Sequence, residues 1–295
     1  MPILPLQSGP RFAPSSPPTD LTLTPLVPDQ IYLIRNFLPG TLCKNYVSFL
    51  ASLPLTTTPG KPKKDEAVRV NDRFQIEDAR FAEMLWGETA LRELVVERFD
   101  EDDYDDSDEE DDRALERAHK AHNLWGGTPL GLNSNIRVYR YSPGQFFAQH
   151  CKSLEGRSNT AQHLYLKNMP TIYPPLYAHT YMPTLICPHI YMYTNIYTPD
   201  DESKALTFTS PSTSNPTPAR TTWTLLIYLT SCTGGSTTFY PDATRANPHP
   251  EPISVAPETG LALLHRHGER CMLHEGSEVV SGEKWVLRSD LVVAR

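Results

Sequence analysis

Apolar positions recur mainly at helical spacing in the first half of the chain. Residues 30–38 alternate well enough for a first strand, and a helix is predicted over residues 41–53. The segment 78–99 carries apolar residues at roughly helical spacing, which predicts one or two helices packed on a sheet. A further helix is predicted over residues 114–125, because Gly126-Gly127 follows directly and would end it.

From residue 135 onward, the pattern changes to short strands. Segments of β-branched and aromatic residues are separated by turn residues at short intervals. The predicted strands span residues 136–141, 222–229, 237–240, 260–265, 269–274 and 284–293. Many short strands in succession are typical of a jelly roll or a related barrel. We therefore predict a mainly β fold with flanking helices, of the α+β class.

One long stretch, residues 151–199, breaks this pattern. It contains seven of the fourteen tyrosines, six prolines and one glycine, and it follows neither the period of a strand nor that of a helix. An irregular segment of this length is uncommon inside a compact domain. We therefore treat residues 151–199 as a long irregular insertion between two parts of the β fold.

Acidic residues are concentrated in one segment. Residues 100–112 hold eleven acidic side chains and no basic one, whereas the formal net charge of the whole chain is −8. The remaining residues therefore carry a small positive net charge. We predict a solvated loop here, since like charges repel and cannot be buried, with an acidic docking segment as the alternative. The charge pattern gives no indication of nucleic-acid binding.

The N-terminal residues and the cysteines bear on where the protein acts. Residues 1–28 are rich in Pro, Ser and Thr, which predicts a flexible leader before a domain spanning residues 29–295. The leader lacks the basic start of a signal peptide, and no apolar run is long enough to span a bilayer. The five cysteines form no C-x-x-C pair, which fits a reducing compartment. We expect a cytoplasmic or nuclear protein with no membrane partner.

Two histidines are the main candidates for chemistry. His150 ends the predicted strand-turn segment 135–150, and His274 lies in Met272-Leu-His-Glu-Gly276, ten residues before Lys284. Two histidines and one carboxylate can hold a non-haem iron ion. The carboxylate is expected two residues after the first histidine, where this chain has Lys152. His265 and His267 lie near the second histidine and are possible competitors for it.

Several motifs in order resemble the prolyl 4-hydroxylase-like branch of the iron(II)/2-oxoglutarate-dependent dioxygenases. The matching residues are Tyr141 nine positions before His150, Thr224-Leu-Leu-Ile-Tyr-Leu229, Gly234-Gly-Ser-Thr-Thr-Phe239, His274 and Gly282-Glu-Lys-Trp285. The resemblance covers about residues 135–150 and 201–293. It implies a double-stranded β-helix, the jelly roll of this family, with the N-terminal helices packed outside it.

The resemblance also implies a reaction and a set of site residues. The implied activity is hydroxylation of a C–H bond, with 2-oxoglutarate converted to succinate and CO2 and L-ascorbate as a reductant. Fe(II) and 2-oxoglutarate would be the cofactor and cosubstrate. Lys284 would bind the far carboxylate of 2-oxoglutarate, with Thr224 and Tyr141 as hydrogen-bond donors, and Arg288 is the alternative cation. The substrate partner would be a protein, a peptide or a small molecule, with no nucleic acid involved.

The displaced carboxylate leads to a hypothesis about residues 151–199. Cys151-Lys152 can be encoded with a typical 5′ splice donor, and Pro199-Asp200 with an acceptor end. Removal of the intervening codons would keep the frame and give His150-Tyr-Asp201. We therefore propose a retained intron in a eukaryotic gene, with Asp201 as the third iron ligand and Asp200 as its alternative.

Three other interpretations remain open from the sequence. The insertion can be a genuine loop that brings Asp201 near His150, because the entropy of loop closure grows slowly with length. The chain can be a pseudoenzyme or a jelly-roll protein that binds without catalysis, in the manner of cupins or lectins. It can also be an interaction protein that works through the acidic segment 100–112.

Overall fold

The helices of the structure, a computed structural model, lie where the helical periodicity predicts them. The structure describes residues 20–58, 67–97, 110–151, 206–209 and 216–295, which all belong to one compact unit. Its helices are α1 (Gly40–Ala51), α2 (Ala79–Gly87), α3 (Leu91–Val96) and α4 (Glu110–Trp125). Asp78 caps α2 by accepting a hydrogen bond from the backbone N–H of Phe81 at 2.9 Å. α4 ends at Trp125 and is followed by Gly126, whose φ of 78° is the left-handed conformation that ends many helices.

The strands form one large sheet, one smaller sheet and one short pair. The strands before residue 151 are β1 (Thr24–Val27), β2 (Ile31–Ile34), β3 (Thr56–Thr57), β4 (Arg69–Val70), β5 (Asp72–Glu77), β6 (Pro129–Leu132), β7 (Asn135–Tyr141) and β8 (Phe146–His150). Those after residue 205 are β9 (Leu206–Phe208), β10 (Thr217–Tyr228), β11 (Thr233–Gly234), β12 (Thr237–Tyr240), β13 (Ile253–Val255), β14 (Ala262–Arg266), β15 (Leu273–Gly276), β16 (Val279–Ser281) and β17 (Lys284–Ala294).

Successive strands alternate between the two main sheets. The large sheet has the order β1-β2-β14-β10-β17-β7-β5-β3, with β6 beside β17 and β9 beside β10, and the smaller sheet has the order β13-β12-β15-β8-β4. The chain passes from β7 in the large sheet to β8 in the smaller one, and later from β10 to β12, from β13 to β14 and from β14 to β15. The recorded pairings are all antiparallel. This path is that of a double-stranded β-helix, so the predicted fold is confirmed.

The alternation of side chains along β10 separates two apolar cores. Trp223, Leu225 and Ile227 pack with the helices in one core, whereas Tyr228 points into the other core. Trp223 and Trp125 of α4 make an edge-to-face contact with ring centroids 5.0 Å apart. The helices therefore cover the outer face of the large sheet, and its inner face is left to line a pocket against the smaller sheet.

Several boundaries differ from the sequence-based expectations. The flexible leader was expected to reach residue 28, but Leu21 and Leu23 are buried and Thr24–Val27 pairs with β2 as strand β1. Residues 1–19 lie outside the described part. The acidic loop was expected to reach residue 112, but α4 already begins at Glu110, and residues 98–109 are not described. The expected strand over 269–274 is wrong in its first half, since Gly268–Arg270 is a short 3-10 helix.

Two further expectations concern parts of the chain that are only partly described. Residues 152–205, which include nearly all of the insertion 151–199, lie outside the described residues. Among the described residues, no helix combines the length and the apolar character needed to cross a membrane.

Candidate active site

The pairing of β8 with β15 places the two predicted iron ligands side by side. His150 and His274 are direct Cα partners in this antiparallel pair. Their ring centroids are 4.3 Å apart, and both rings line the same pocket between the two sheets. The pocket is partly open to solvent, and its empty space, including the part open to solvent, is about 570 Å³. Two residues that are 124 positions apart in the sequence thus meet at one point, as the motif spacing predicts.

Backbone carbonyl groups fix the orientation of both imidazoles. The Nδ1 atom of His150 is 2.9 Å from the carbonyl oxygen of Ala148, and the Nδ1 atom of His274 is 2.8 Å from that of Met272. A carbonyl oxygen only accepts hydrogen bonds, so each Nδ1 is the protonated donor. The lone pair of each ring is then on Nε2, which is the arrangement found in histidines that bind metals.

Burial keeps His150 in the neutral form that a metal needs. Removal of the ring from water lowers the pKa of His150 well below its usual value, and the neighbouring His274 lowers this pKa further. Phe147 stacks on the His150 ring with centroids 3.6 Å apart, and the guanidinium of Arg69 lies 3.9 Å from the Phe147 ring centroid. His150 is therefore held by one hydrogen bond and one stacking contact.

The two histidines fit two of the three protein ligands of a facial iron site. The described residues contain no group of three or more His, Cys, Asp and Glu side chains that could hold a metal ion as they stand. Lys152, Asp200 and Asp201 lie outside the described residues, so the predicted carboxylate ligand remains a prediction. Nitrogen donors with one carboxylate are typical of non-haem Fe(II).

A buried lysine lies at the other end of the pocket. Lys284 at the start of β17 has 5% exposure, and its Nζ donates a hydrogen bond to the carbonyl oxygen of Gly235 at 2.6 Å. Nζ is also 5.5 Å from the ring centroid of Tyr141 and 5.4 Å from that of Tyr228. Burial lowers the pKa of Lys284 to about 8, and the nearby Cys232 thiol opposes this shift.

The two tyrosine rings beside Lys284 carry phenol hydroxyls, and one of these is paired with a threonine. The Tyr228 hydroxyl is 2.7 Å from the hydroxyl of Thr237, which lines the pocket. Burial raises the pKa of both Tyr141 and Tyr228, so both phenols stay protonated and can donate hydrogen bonds. Tyr228 and Thr237 lie in the quoted motifs, but the sequence did not identify them as site residues. Spacing along the chain does not show which aromatic ring lies beside the lysine.

Thr224 belongs to a different part of the pocket wall than Lys284. Thr224 is opposite Asp290 in the pairing of β10 with β17, and its hydroxyl donates a hydrogen bond to the Asp290 carboxylate at 3.1 Å. Arg288 also contacts this carboxylate, at 3.4 Å. The structure therefore brings Tyr141 to Lys284 but groups Thr224 with Arg288. The predicted hydrogen bond from Thr224 to a cosubstrate would require Thr224 to leave Asp290.

The other histidines near the second ligand divide between the pocket and its outer wall. The His265 ring is buried in the pocket, 4.6 Å from the His274 ring centroid. His267 is outside the pocket lining, and its ring nitrogens lie 3.1 Å from the hydroxyls of Thr221 and Thr224. His265 is thus a close neighbour of a predicted ligand, whereas His267 is part of the hydrogen-bond network behind Thr224.

No family profile matches the chain, and no curated protein matches its sequence. Similar solved structures exist at low sequence identity. The viral collagen prolyl hydroxylase of Paramecium Bursaria Chlorella virus-1, in complex with 2OG, is 13% identical with a TM-score of 0.41, and the match covers 90% of this chain and 97% of that one.

Two further solved structures have similar values. A prolyl hydroxylase from Trichoplax adhaerens, in complex with a hypoxia inducible factor peptide fragment, is 12% identical with a TM-score of 0.44, and the match covers 89% of this chain and 83% of that one. An oxidoreductase of the 2OG-Fe(II) oxygenase family from Burkholderia pseudomallei is 12% identical with a TM-score of 0.39, with coverage of 90% and 85%. What the site of this chain can do follows from its own side chains.

Proposed function

We propose that this protein is an Fe(II)- and 2-oxoglutarate-dependent dioxygenase that hydroxylates a C–H bond. The observation that carries the proposal is the pair of opposed histidines. His150 and His274 have their rings 4.3 Å apart, and backbone carbonyl groups hold both in the tautomer that leaves Nε2 for a metal. Both Nε2 atoms thereby keep the lone pair that a metal ion would bind.

Lys284 would bind the far carboxylate of 2-oxoglutarate. A buried ammonium group is costly unless an anion lies close to it, and the neutral Gly235 carbonyl supplies no charge. A bound carboxylate would compensate the charge of Lys284 and raise its pKa. The phenol of Tyr141 and the hydroxyl pair of Tyr228 and Thr237 would donate hydrogen bonds to the same carboxylate. Arg288, which lies beside Thr224 and Asp290, is the alternative anchor for this carboxylate.

The histidines would hold Fe(II), and the third ligand would be Asp201, or Asp200 if the junction differs. When bound, the iron with 2-oxoglutarate supplies the oxidising power for C–H hydroxylation. The reaction balances as substrate–H plus O2 plus 2-oxoglutarate giving substrate–OH, succinate and CO2. L-ascorbate would serve as a reductant that returns the iron to Fe(II). The protein would contribute ligand geometry, the carboxylate anchor and a pocket that is partly closed off from solvent.

The segment 151–199 bears on whether the chain is active as written. A facial site needs its ligands held rigidly, and His-x-Asp on one strand end achieves this. The chain has Lys152 at that position, so we propose that the active form reads His150-Tyr-Asp201 after removal of a retained intron. The chain as written would then bind iron weakly and turn over little or not at all.

Succinate formation tests this function. We would compare the full chain with a version in which residues 151–200 are replaced by one tyrosine, each with Fe(II), 2-oxoglutarate and ascorbate. The shortened version should convert 2-oxoglutarate to succinate and CO2, and His274→Ala in the same background should abolish this conversion. No iron-dependent succinate from either version would contradict the proposal and favour a jelly-roll protein that binds without catalysis.

A further inference from the structure

Two cysteines lie at the end of the strand pair that carries the proposed ligand histidines. Cys151 follows His150 directly, at the end of β8. Cys271 lies just before β15, three residues before His274. The two cysteines are 120 positions apart in the sequence, but the pairing of His150 with His274 brings their segments together.

The side chains of Cys151 and Cys271 are in contact. The Sγ atom of Cys151 lies 3.0 Å from the carbonyl oxygen of Cys271, and the two thiol groups are also hydrogen-bonded to each other. The backbone N–H of Cys271 donates a hydrogen bond to the carbonyl oxygen of Gly268 at 3.1 Å, which fixes this segment at the end of the 3-10 helix. Both cysteines are half-buried, and neither is in a disulfide bond. A small reagent can therefore reach a thiol that already has a second thiol beside it.

The other cysteines in the described part of the chain have different surroundings. Cys43 is fully buried in the core beneath the helices, where its thiol contacts the carbonyl oxygen of Leu38. The thiol of Cys232 contacts the carbonyl oxygen of Gly234 and lies near Lys284. These two residues are therefore suitable controls for a reaction that needs two thiols in contact.

We propose that Cys151 and Cys271 form a reversible disulfide bond in the presence of a low-molecular-weight disulfide such as oxidised glutathione. One cysteine attacks the glutathione disulfide as its thiolate and releases one glutathione, and the second cysteine then displaces the other glutathione from the mixed disulfide. Two protein thiols and one glutathione disulfide thus give one protein disulfide and two molecules of glutathione. The protein is oxidised by two electrons, and the glutathione disulfide is reduced by two.

The disulfide bond would join the two segments that carry His150 and His274. It would close a loop that contains residues 152–270, and closure of a long loop stabilises a protein mainly because it restricts the unfolded chain. The oxidised chain should therefore resist urea better than the reduced chain. The inference applies to the chain as written, because the version that reads His150-Tyr-Asp201 has no cysteine after His150.

Peptide mapping of the full-length chain tests the inference. The hydrogen bond with Cys271 and burial raise the pKa of Cys151, so the chain would be incubated for hours at about pH 8.5 with mixtures of reduced and oxidised glutathione. It would then be alkylated, digested and analysed by mass spectrometry. We expect a cross-linked peptide that contains Cys151 and Cys271 and that dithiothreitol separates. Oxidation should also raise the urea midpoint by about 1 M.

Serine variants provide the controls. Cys151→Ser and Cys271→Ser should each lose the cross-link and the rise of the urea midpoint, whereas Cys232→Ser should keep both. Separate alkylation of Cys151 and Cys271 would overturn the inference. Glutathione attached to either without a cross-link, or pairing of either with Cys187 or Cys232, would also overturn it.

The outcome does not depend on the proposed function, because neither iron nor 2-oxoglutarate takes part. If a serine variant does not fold, the peptide map of the wild type decides alone. Absence of the cross-link would leave the proposed dioxygenase function standing, and absence of succinate formation would leave the disulfide bond standing.

Discussion

The side chain of Lys284 combines a positive charge with nearly complete burial. Its ammonium group has one short hydrogen bond, to Gly235, and two aromatic rings beside it. The unfolded chain binds a proton on this lysine up to its ordinary pKa near 10.4, whereas burial lowers the pKa in the folded chain to about 8. Between these values the unfolded state binds more protons, so stability without ligand should rise with pH in this window.

The lowered pKa of Lys284 also predicts how cosubstrate binding depends on pH. Stability should rise with pH, whereas cosubstrate affinity should fall. Only the protonated lysine can hold a carboxylate, so the affinity for 2-oxoglutarate should fall as the pH rises through the pKa of Lys284. Isothermal titration at pH 7 and pH 9 would measure this fall. Lys284→Arg is the control, because arginine stays charged at both values. An equal fall in Lys284→Arg would show that another group causes the effect.

Replacement of the cation itself should separate Lys284 from Arg288 as the anchor. A hydrogen bond to a charged group contributes about 1.5–3 kcal/mol, which corresponds to about 10- to 150-fold in affinity. We expect Lys284→Met to weaken 2-oxoglutarate binding by about this factor and Arg288→Gln to weaken it less. Titration of both variants with 2-oxoglutarate would measure the two affinities. A larger loss in Arg288→Gln than in Lys284→Met would make Arg288 the anchor.

At this scale the sequence predicts some contacts and misses others. The interval from His274 to Lys284 correctly places the two at one pocket, and Tyr141 lies beside Lys284 as expected. Thr224 was grouped with Lys284 on motif spacing, but the register of β10 with β17 sets it opposite Asp290. Register depends on pairing across strands, which one sequence does not reveal.

At the scale of single elements, the turn before β12 shapes the surroundings of Lys284. Gly235 has a φ of 66°, and a Cβ there would lie 3.1 Å from both Cys232 Sγ and Val279 Cγ2. The left-handed conformation therefore lets this carbonyl reach Lys284 without a side chain in the way. This close approach of the Gly235 carbonyl to Lys284 explains why glycine is suited to the second position of Gly234-Gly235.

Alanine at Gly235 should therefore weaken both the fold and cosubstrate binding. The left-handed conformation alone costs roughly 1–2 kcal/mol for a residue with a Cβ. Gly144→Ala is the matched control, since its φ is 84° and a Cβ there meets nothing within 4 Å. Chemical denaturation should show destabilisation in both variants and more in Gly235→Ala, and only Gly235→Ala should lose 2-oxoglutarate affinity. Equal affinities in the two variants would argue against a role for the Gly235 carbonyl.

The cap of α2 is a local feature with a purely structural prediction. Asp78→Ala removes the hydrogen bond to the Phe81 N–H, and loss of such a cap costs about 1 kcal/mol. Urea denaturation should detect this loss. Metal affinity should stay unchanged because the cap does not contact the pocket, and a large drop in metal affinity would contradict the separation of helices and site.

The sequence predicted the positions of the helices and of the central strands well. It predicted the ends of the strands less well. The periodicity over residues 41–53 and 78–99 gives α1, α2 and α3 closely, because their apolar faces bury in one core. β10 extends to Thr217, well before its predicted start, because β9 and β17 supply hydrogen-bond partners for its polar first residues. Partners of this kind come from distant parts of the chain and leave no local signal.

At the scale of the whole molecule, the described residues form the two sheets of a double-stranded β-helix on both sides of the insertion. β1 to β8 come before residue 151, and the other strands of both sheets, from β9 to β17, come after residue 205. Strands from before and after the insertion pair with each other within one sheet, for example β8 with β15. The architecture is therefore built from the parts of the chain that flank residues 152–205.

This organisation gives a prediction about the transcript. If residues 151–199 and the flanking codons are a retained intron, reverse transcription and sequencing across the junction should detect a shorter, in-frame product that reads His150-Tyr-Asp201. A full-length transcript alone would mean that the insertion is translated. The displaced carboxylate would then be a property of the protein.

The central claim is that the opposed histidines hold iron together with 2-oxoglutarate, and optical titration under anaerobic conditions tests it most directly. Addition of Fe(II) and then 2-oxoglutarate should produce the visible charge-transfer absorption of chelated iron in the full chain, more strongly in the version with residues 151–200 replaced by tyrosine. His274→Ala should lose the absorption in both. Absence of the absorption from both versions, or its persistence in His274→Ala, would contradict the account.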